Sequence, residues 1–131
     1  MTVSFGNSYI DRLFAERDLA AIHQLISVVA KERPLPEEFW LFCRIYEWAP
    51  TRSGISQYYE GLHDSDFSRI SQALDRFELG EIAKKYREGK TRSNDPPHQA
   101  SDLDVWLDAH ASQIHFQVFG LIAPLKDYLR N

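Results

Sequence analysis

"EEFWLFCRIYEW", residues 37–48, decides the fold. After the opening glutamates only Arg44 and Glu47 interrupt a segment that is apolar around nearly its whole circumference. That pattern belongs to a helix with neighbours on most sides. Pro36 suits the first turn, where a missing N–H costs nothing, and Glu37 and Glu38 face the positive end of the helix dipole. Ala49-Pro50 ends the segment, because a residue before proline is pushed out of helical geometry. Phe39, Trp40, Phe42, Cys43, Ile45 and Tyr46 are the expected core, with Trp40, Phe42 and Cys43 largely buried.

Toward the N-terminus, Ser8 with Asp11 three residues on reads as a capping box for a helix through Ile10, Leu13 and Phe14. Asp18 can cap a second helix, in which Leu19, Ile22, Leu25, Ile26 and Val29 share one face. Pro34 stops it. Toward the C-terminus, Asp64 or Ser65 caps a helix marked by Phe67, Ile70, Leu74 and Phe77. Gly80 reads as a break, and a basic helix follows with Ile82, Ala83 and Tyr86 turned inward. Residues 89–100, within "EGKTRSNDPPHQAS", form the expected exposed loop. Ser101 with Asp104 opens a last helix whose stripe runs through Leu103, Trp106, Leu107, Ile114, Val118, Leu121 and Ile122. Pro124 interrupts it. No period-two pattern suggests a strand. The expectation is an all-α bundle of six or seven helices around the 37–48 segment, a single domain over residues 1–131.

Composition narrows the function. The chain has 131 residues, enough to bury a core without metals or disulfides. Its single cysteine, Cys43, allows no internal disulfide, which fits a reducing compartment. No secretion-signal core and no membrane span is read, so a cytoplasmic protein is expected. The net charge of −4 speaks against direct nucleic-acid binding. The charges are also blocked. Lys84, Lys85, Arg87, Lys90 and Arg92 crowd one stretch, whereas Ser93 to Leu125 has no Lys or Arg and carries Asp95, Asp102, Asp104 and Asp108. Such an acidic block can face a basic partner, or it can pair with the basic block beside it.

Between the apolar segments lies "TRSGISQYYEG", residues 51–61. With its flanks, "LPEEFWLFCRIYEW…RSGISQYYEG…DFSRISQALDRFELGEIAKKY", it resembles the DNA-mimic-protein-like family of bacterial helical domains over about residues 35 to 88. Gly54, Gln57 and Tyr58 match that family's corner, while Arg52, Ser53, Ile55 and Tyr59 depart from it. Physically, Gly54 would permit a positive φ, Gln57 could satisfy corner backbone groups, and Tyr58 and Tyr59 would pack the corner down. An alternative gives exposed Tyr59 and Arg52 a binding role. The resemblance implies a non-enzymatic function, one branch of the family mimicking the phosphate array of DNA. Fifteen basic residues leave this chain less acidic than such a mimic.

Chemistry is scarce. Cys43 lies among Phe and Ile and reads as a small hydrophobe, and no nucleophile elbow or phosphate-binding loop occurs. Asp104 and Asp108 have helical ligand spacing, but His115 is about 10.5 Å further along the axis. His63, Asp64 and Asp66 are explained more simply by helix capping. No metal or cofactor is therefore expected. The expected function is a non-catalytic protein-binding module, an inhibitor or immunity-type protein whose face of Asp95, Asp102, Asp104 and Asp108 meets a toxin or nucleic-acid-binding protein. The alternatives are a DNA-mimicking regulator and a small enzyme with a pocket near residues 54–66. A homodimer stays open.

Overall fold

A computed structural model describes residues 6–49, 55–92 and 101–130, with the backbone alone for residues 55–57 and 101. Among these residues every regular element is helical: α1 (Asn7–Glu16), α2 (Leu19–Glu32), α3 (Glu37–Trp48), α4 (Ile55–Glu60), α5 (Asp64–Arg76), α6 (Gly80–Arg92) and α7 (Ser101–Ile122). A 3-10 segment, Ala123–Leu129, continues α7. The fold class is all-α. The chain forms two compact units, Met1–Tyr46 with His115–Asn131, and Glu47–Ile114.

In the first unit, α1 packs against α2 and against the 3-10 segment. Its N-cap is Gly6, with no side-chain bond, so Ser8 falls inside the first turn and the expected Ser8–Asp11 box does not form. Asp11 instead accepts from Lys126 at 2.8 Å and from Arg130. Two cations hold the carboxylate more strongly than one local N–H would. α1 closes in a Schellman turn: Asp18 N donates to Leu13 O at 3.0 Å and Arg17 N to Phe14 O at 3.3 Å. This turn needs a left-handed residue, and Arg17 fills the place at φ 53°. Asp18 then caps α2 by accepting from Ala21 N at 3.3 Å, and Ile22, Leu25, Ile26 and Val29 are buried as their spacing requires. Past the end of α2, the Arg33 guanidinium donates to the carbonyls of Tyr128 and Arg130 at 3.1 and 3.0 Å. That contact ties down the 3-10 segment, which begins where Pro124 brings the last turn of α7 to an end.

α3 occupies the expected residues. Phe39, Leu41, Phe42, Ile45 and Trp48 are fully buried. Trp40 and Cys43, expected to be largely buried, are only half-buried. The reason is helical geometry: Trp40, Cys43, Arg44 and Glu47 follow one another at spacings of three, four and seven and form the helix's outward stripe. The Arg44 guanidinium lies over the Trp40 ring, 5.7 Å from its centroid.

In the second unit, α4 and α5 both pack on α6. α5 is capped by the backbone of His63, so Asp64 and Ser65 lie within the helix instead of capping it. Asp64 and Asp66 in its first turn still suit the dipole. The break after α5 is another Schellman turn, with Leu79 N donating to Leu74 O at 2.8 Å and Glu78 N to Asp75 O at 3.1 Å. Glu78 is left-handed at φ 61°. Gly80, expected to be the break, is the first residue of α6. Arg87 staples α6 to α5: its Nε donates to Ser71 Oγ at 2.6 Å, and its terminal nitrogen reaches Ser71 O and the Asp75 carboxylate. The expected loop over 89–100 begins too early. Residues 89–92 belong to α6, and Gly89 is buried because a ring lies against it. No helix of the described residues is long and apolar enough to cross a membrane.

Candidate functional site

Two of the residues offered for partner binding lie outside the described residues, Arg52 and Asp95, and so does Gly54 of the corner. Gln57 stands in α4, with its side chain outside the description as well. The rest can be placed. Residues 55–60 form a short helix, not an open corner. Tyr59, proposed as an exposed contact, is 2% exposed. Its hydroxyl donates to Tyr86 O at 2.6 Å, and its ring meets Tyr58, Phe67 and Tyr86. No partner can reach it.

This aromatic cluster is polar at its centre. The Tyr58 and Tyr86 hydroxyls share a hydrogen bond of 2.8 Å, and the Tyr86 ring stacks on Phe67 and takes the edge of Trp48. Burial pushes the Tyr59 phenol far above its ordinary range and the neighbouring Tyr58 adds to the shift. The Trp48 indole N–H opposes it without reaching hydrogen-bond geometry, and is a buried donor with no acceptor among the described residues. The cluster is a packed joint between α4 and α6. Of the polar residues at the end of the 54–66 stretch, Asp64 pairs with Lys90 at 3.5 Å, and His63 is exposed.

α7 carries the acidic residues. Asp102 does not face solvent alone, because Arg92 grips both of its oxygens at 2.6 and 3.0 Å. The guanidinium holds that carboxyl below the usual carboxylate range. One residue of the basic block, Arg92, therefore pairs with one of the acidic block, Asp102. Asp104 is half-buried, whereas Asp108 is exposed. Val105, one turn before Asp108, is 67% exposed, a residue that the charge pattern alone did not bring out. Asp108, Val105, Ala109 and Ser112 lie on the outward side of a helix with no Lys or Arg.

On the other flank, His110 Nδ1 lies 2.8 Å from Trp106 O. A carbonyl only accepts, so Nδ1 carries the proton and the bond fixes the tautomer. The imidazole stacks on Trp106 with centroids 4.4 Å apart, and the Lys85 ammonium stands 5.0 Å from the same ring. Among the described residues no three of His, Cys, Asp and Glu converge as a metal site. Comparison with protein-family models, with curated proteins and with solved structures finds no significant match.

Proposed function

We propose that the chain is a non-catalytic protein-binding module, an inhibitor or immunity-type protein that offers the outward side of α7 to a basic partner. The observation that carries this reading is the exposed pair Val105 and Asp108 on a helix without Lys or Arg. An apolar side chain beside an unneutralised carboxylate gives a partner both contact area and charge complementarity. Asp102 belongs to the fold rather than to this face, since Arg92 already occupies it. The resemblance of residues 35 to 88 to the DNA-mimic-protein-like family points to the same class of function. The Arg92–Asp102 pair weakens the acidic array and favours a protein partner with a compact basic spot over a duplex-binding protein that grips extended phosphates.

The test is a partner isolated by co-purification, with its association rate measured across a salt series. Asp104→Asn/Asp108→Asn should slow association and flatten the salt dependence, and Val105→Ser should hasten dissociation. Asp102 is kept, because its loss would release Arg92. Unchanged rates and salt slope in the double variant would rule out the α7 face.

A further inference from the structure

Arg17 is an unusual choice for its position. It is one of two residues other than glycine at positive φ, 53°, among the described residues, a place where glycine or asparagine is the least strained occupant. Its guanidinium does not answer the acids beside it in sequence. Asp18 is occupied as the cap of α2, Glu16 is exposed, and no carboxylate of the described residues pairs with Arg17. Instead the guanidinium lies over the ring of Phe116, 5.0 Å from its centroid. Phe116 is 58% exposed, a large apolar side chain left in water. The left-handed backbone is unfavourable for a residue with a Cβ. It meets a guanidinium that pairs with no carboxylate of the described residues, and an exposed aromatic ring, at one spot of the first unit.

Three other cations of that unit are engaged elsewhere. Lys126 and Arg130 hold Asp11, and Arg33 holds two carbonyls. A second pair of the same kind stands on α1, where Arg12 lies over Tyr9 at 5.4 Å. Arginine stacked on an exposed aromatic ring is the composition of interface anchors. The ring supplies area, and it holds the guanidinium fork with its donors turned outward for a carboxylate.

We infer that Arg17 and Phe116 form a docking point for an acidic protein segment, in which a Glu or Asp is gripped by the Arg17 guanidinium and an adjacent apolar side chain covers Phe116. The partner gripped here has the charge opposite to that of the one proposed for Asp108. A nucleic acid would also offer an anion and a stacking surface, but the net charge of −4 disfavours it.

The test uses the intact chain and a short fluorescein-labelled peptide of alternating Leu and Glu, with its Leu and Gln counterpart as control. Binding is followed by anisotropy and by the Arg17 side-chain Nε–H and Phe116 ring signals in NMR. The glutamate peptide should move both signals, and the glutamine peptide should bind about tenfold more weakly or worse. Arg17→Gln and Phe116→Ser should each lower affinity about tenfold, whereas Glu78→Gln, at the other left-handed position, should not. Arg17→Gly separates recognition from structure. It should lose peptide binding while its thermal midpoint stays level or rises. Several results would overturn the inference: no signal change at Arg17 or Phe116, equal binding of the glutamine peptide, or a fall in the thermal midpoint of Arg17→Gly. So would the same shifts from inorganic phosphate or a short single-stranded oligonucleotide at matched concentration, which would assign the spot to phosphate.

Discussion

The ring of Tyr59 rests directly on the backbone of Gly89. A Cβ placed on Gly89 would stand 2.5 Å from the Tyr59 hydroxyl oxygen and 2.7 and 2.8 Å from two ring carbons. Glycine inside a helix ordinarily loses about 1 kcal/mol against alanine, so Gly89→Ala on α6 would be expected to stabilise. Here the sign reverses. Tyr59 is buried and bonded to Tyr86 O, and its ring has no room to retreat. Overpacking costs about 1–3 kcal/mol, and the variant should be less stable in urea. Gly89→Ala combined with Tyr59→Leu should lose less than the two changes summed. A stabilised Gly89→Ala would mean that α4 does not sit on α6 as described.

Phe42 is fully buried on α3 and stacks on Tyr46, with ring centroids 6.0 Å apart. Phe42→Ala should destabilise by about 3–5 kcal/mol. Trp40, half-buried and covered by Arg44, should cost clearly less when replaced by alanine. Equilibrium denaturation of the two variants side by side checks the orientation of the helix. Equal losses would place the outward stripe wrongly.

Asp11 gives the stability a dependence on acid. Hydrogen bonds from Lys126 and Arg130 hold its carboxyl below the usual carboxylate range. A depressed value in the folded state stabilises above the unfolded value, about 3.9, and the contribution is lost as pH falls through the folded value. Asp11→Asn should therefore have a lower thermal midpoint than wild type at neutral pH, and the gap should close as pH falls below about 4. The carboxylate is half exposed, so the gap will be small. A gap that stays constant down to acid would show that the pair does not operate.

How far the sequence foretold this depends on the range of each interaction. α2 was legible because cap and stripe are both local: Asp18 and the Ile22–Val29 spacing need no distant information. The outward stripe of α3 was also present, since Arg44 and Glu47 mark the side on which Trp40 and Cys43 lie, but hydrophobic weight concealed it. Tyr58 and Tyr59 look alike in sequence. What distinguishes them is Gly89, which reads as a helix end until a ring is known to lie on it. The Arg92–Asp102 pair joins two blocks across ten residues, and spacing alone could not decide between pairing and display. The left-handed Arg17 and Glu78 had no signal of any kind, because the residue that usually announces such a turn is glycine.

The clamp of Lys126 and Arg130 on Asp11 also sets the order in which the molecule can be made. The second unit is a continuous stretch, Glu47–Ile114, and is complete once the first two thirds of α7 have left the ribosome. The first unit is assembled from both sides of that stretch. Asp11 on α1 and the Arg33 guanidinium beyond α2 must wait for residues 126–130, nearly a hundred positions later in synthesis for Arg33. During translation the early helices are thus held without their closing contacts, and their apolar faces stay open to chaperones and to one another. Closure of the first unit, with its long-range contacts, is the slow event.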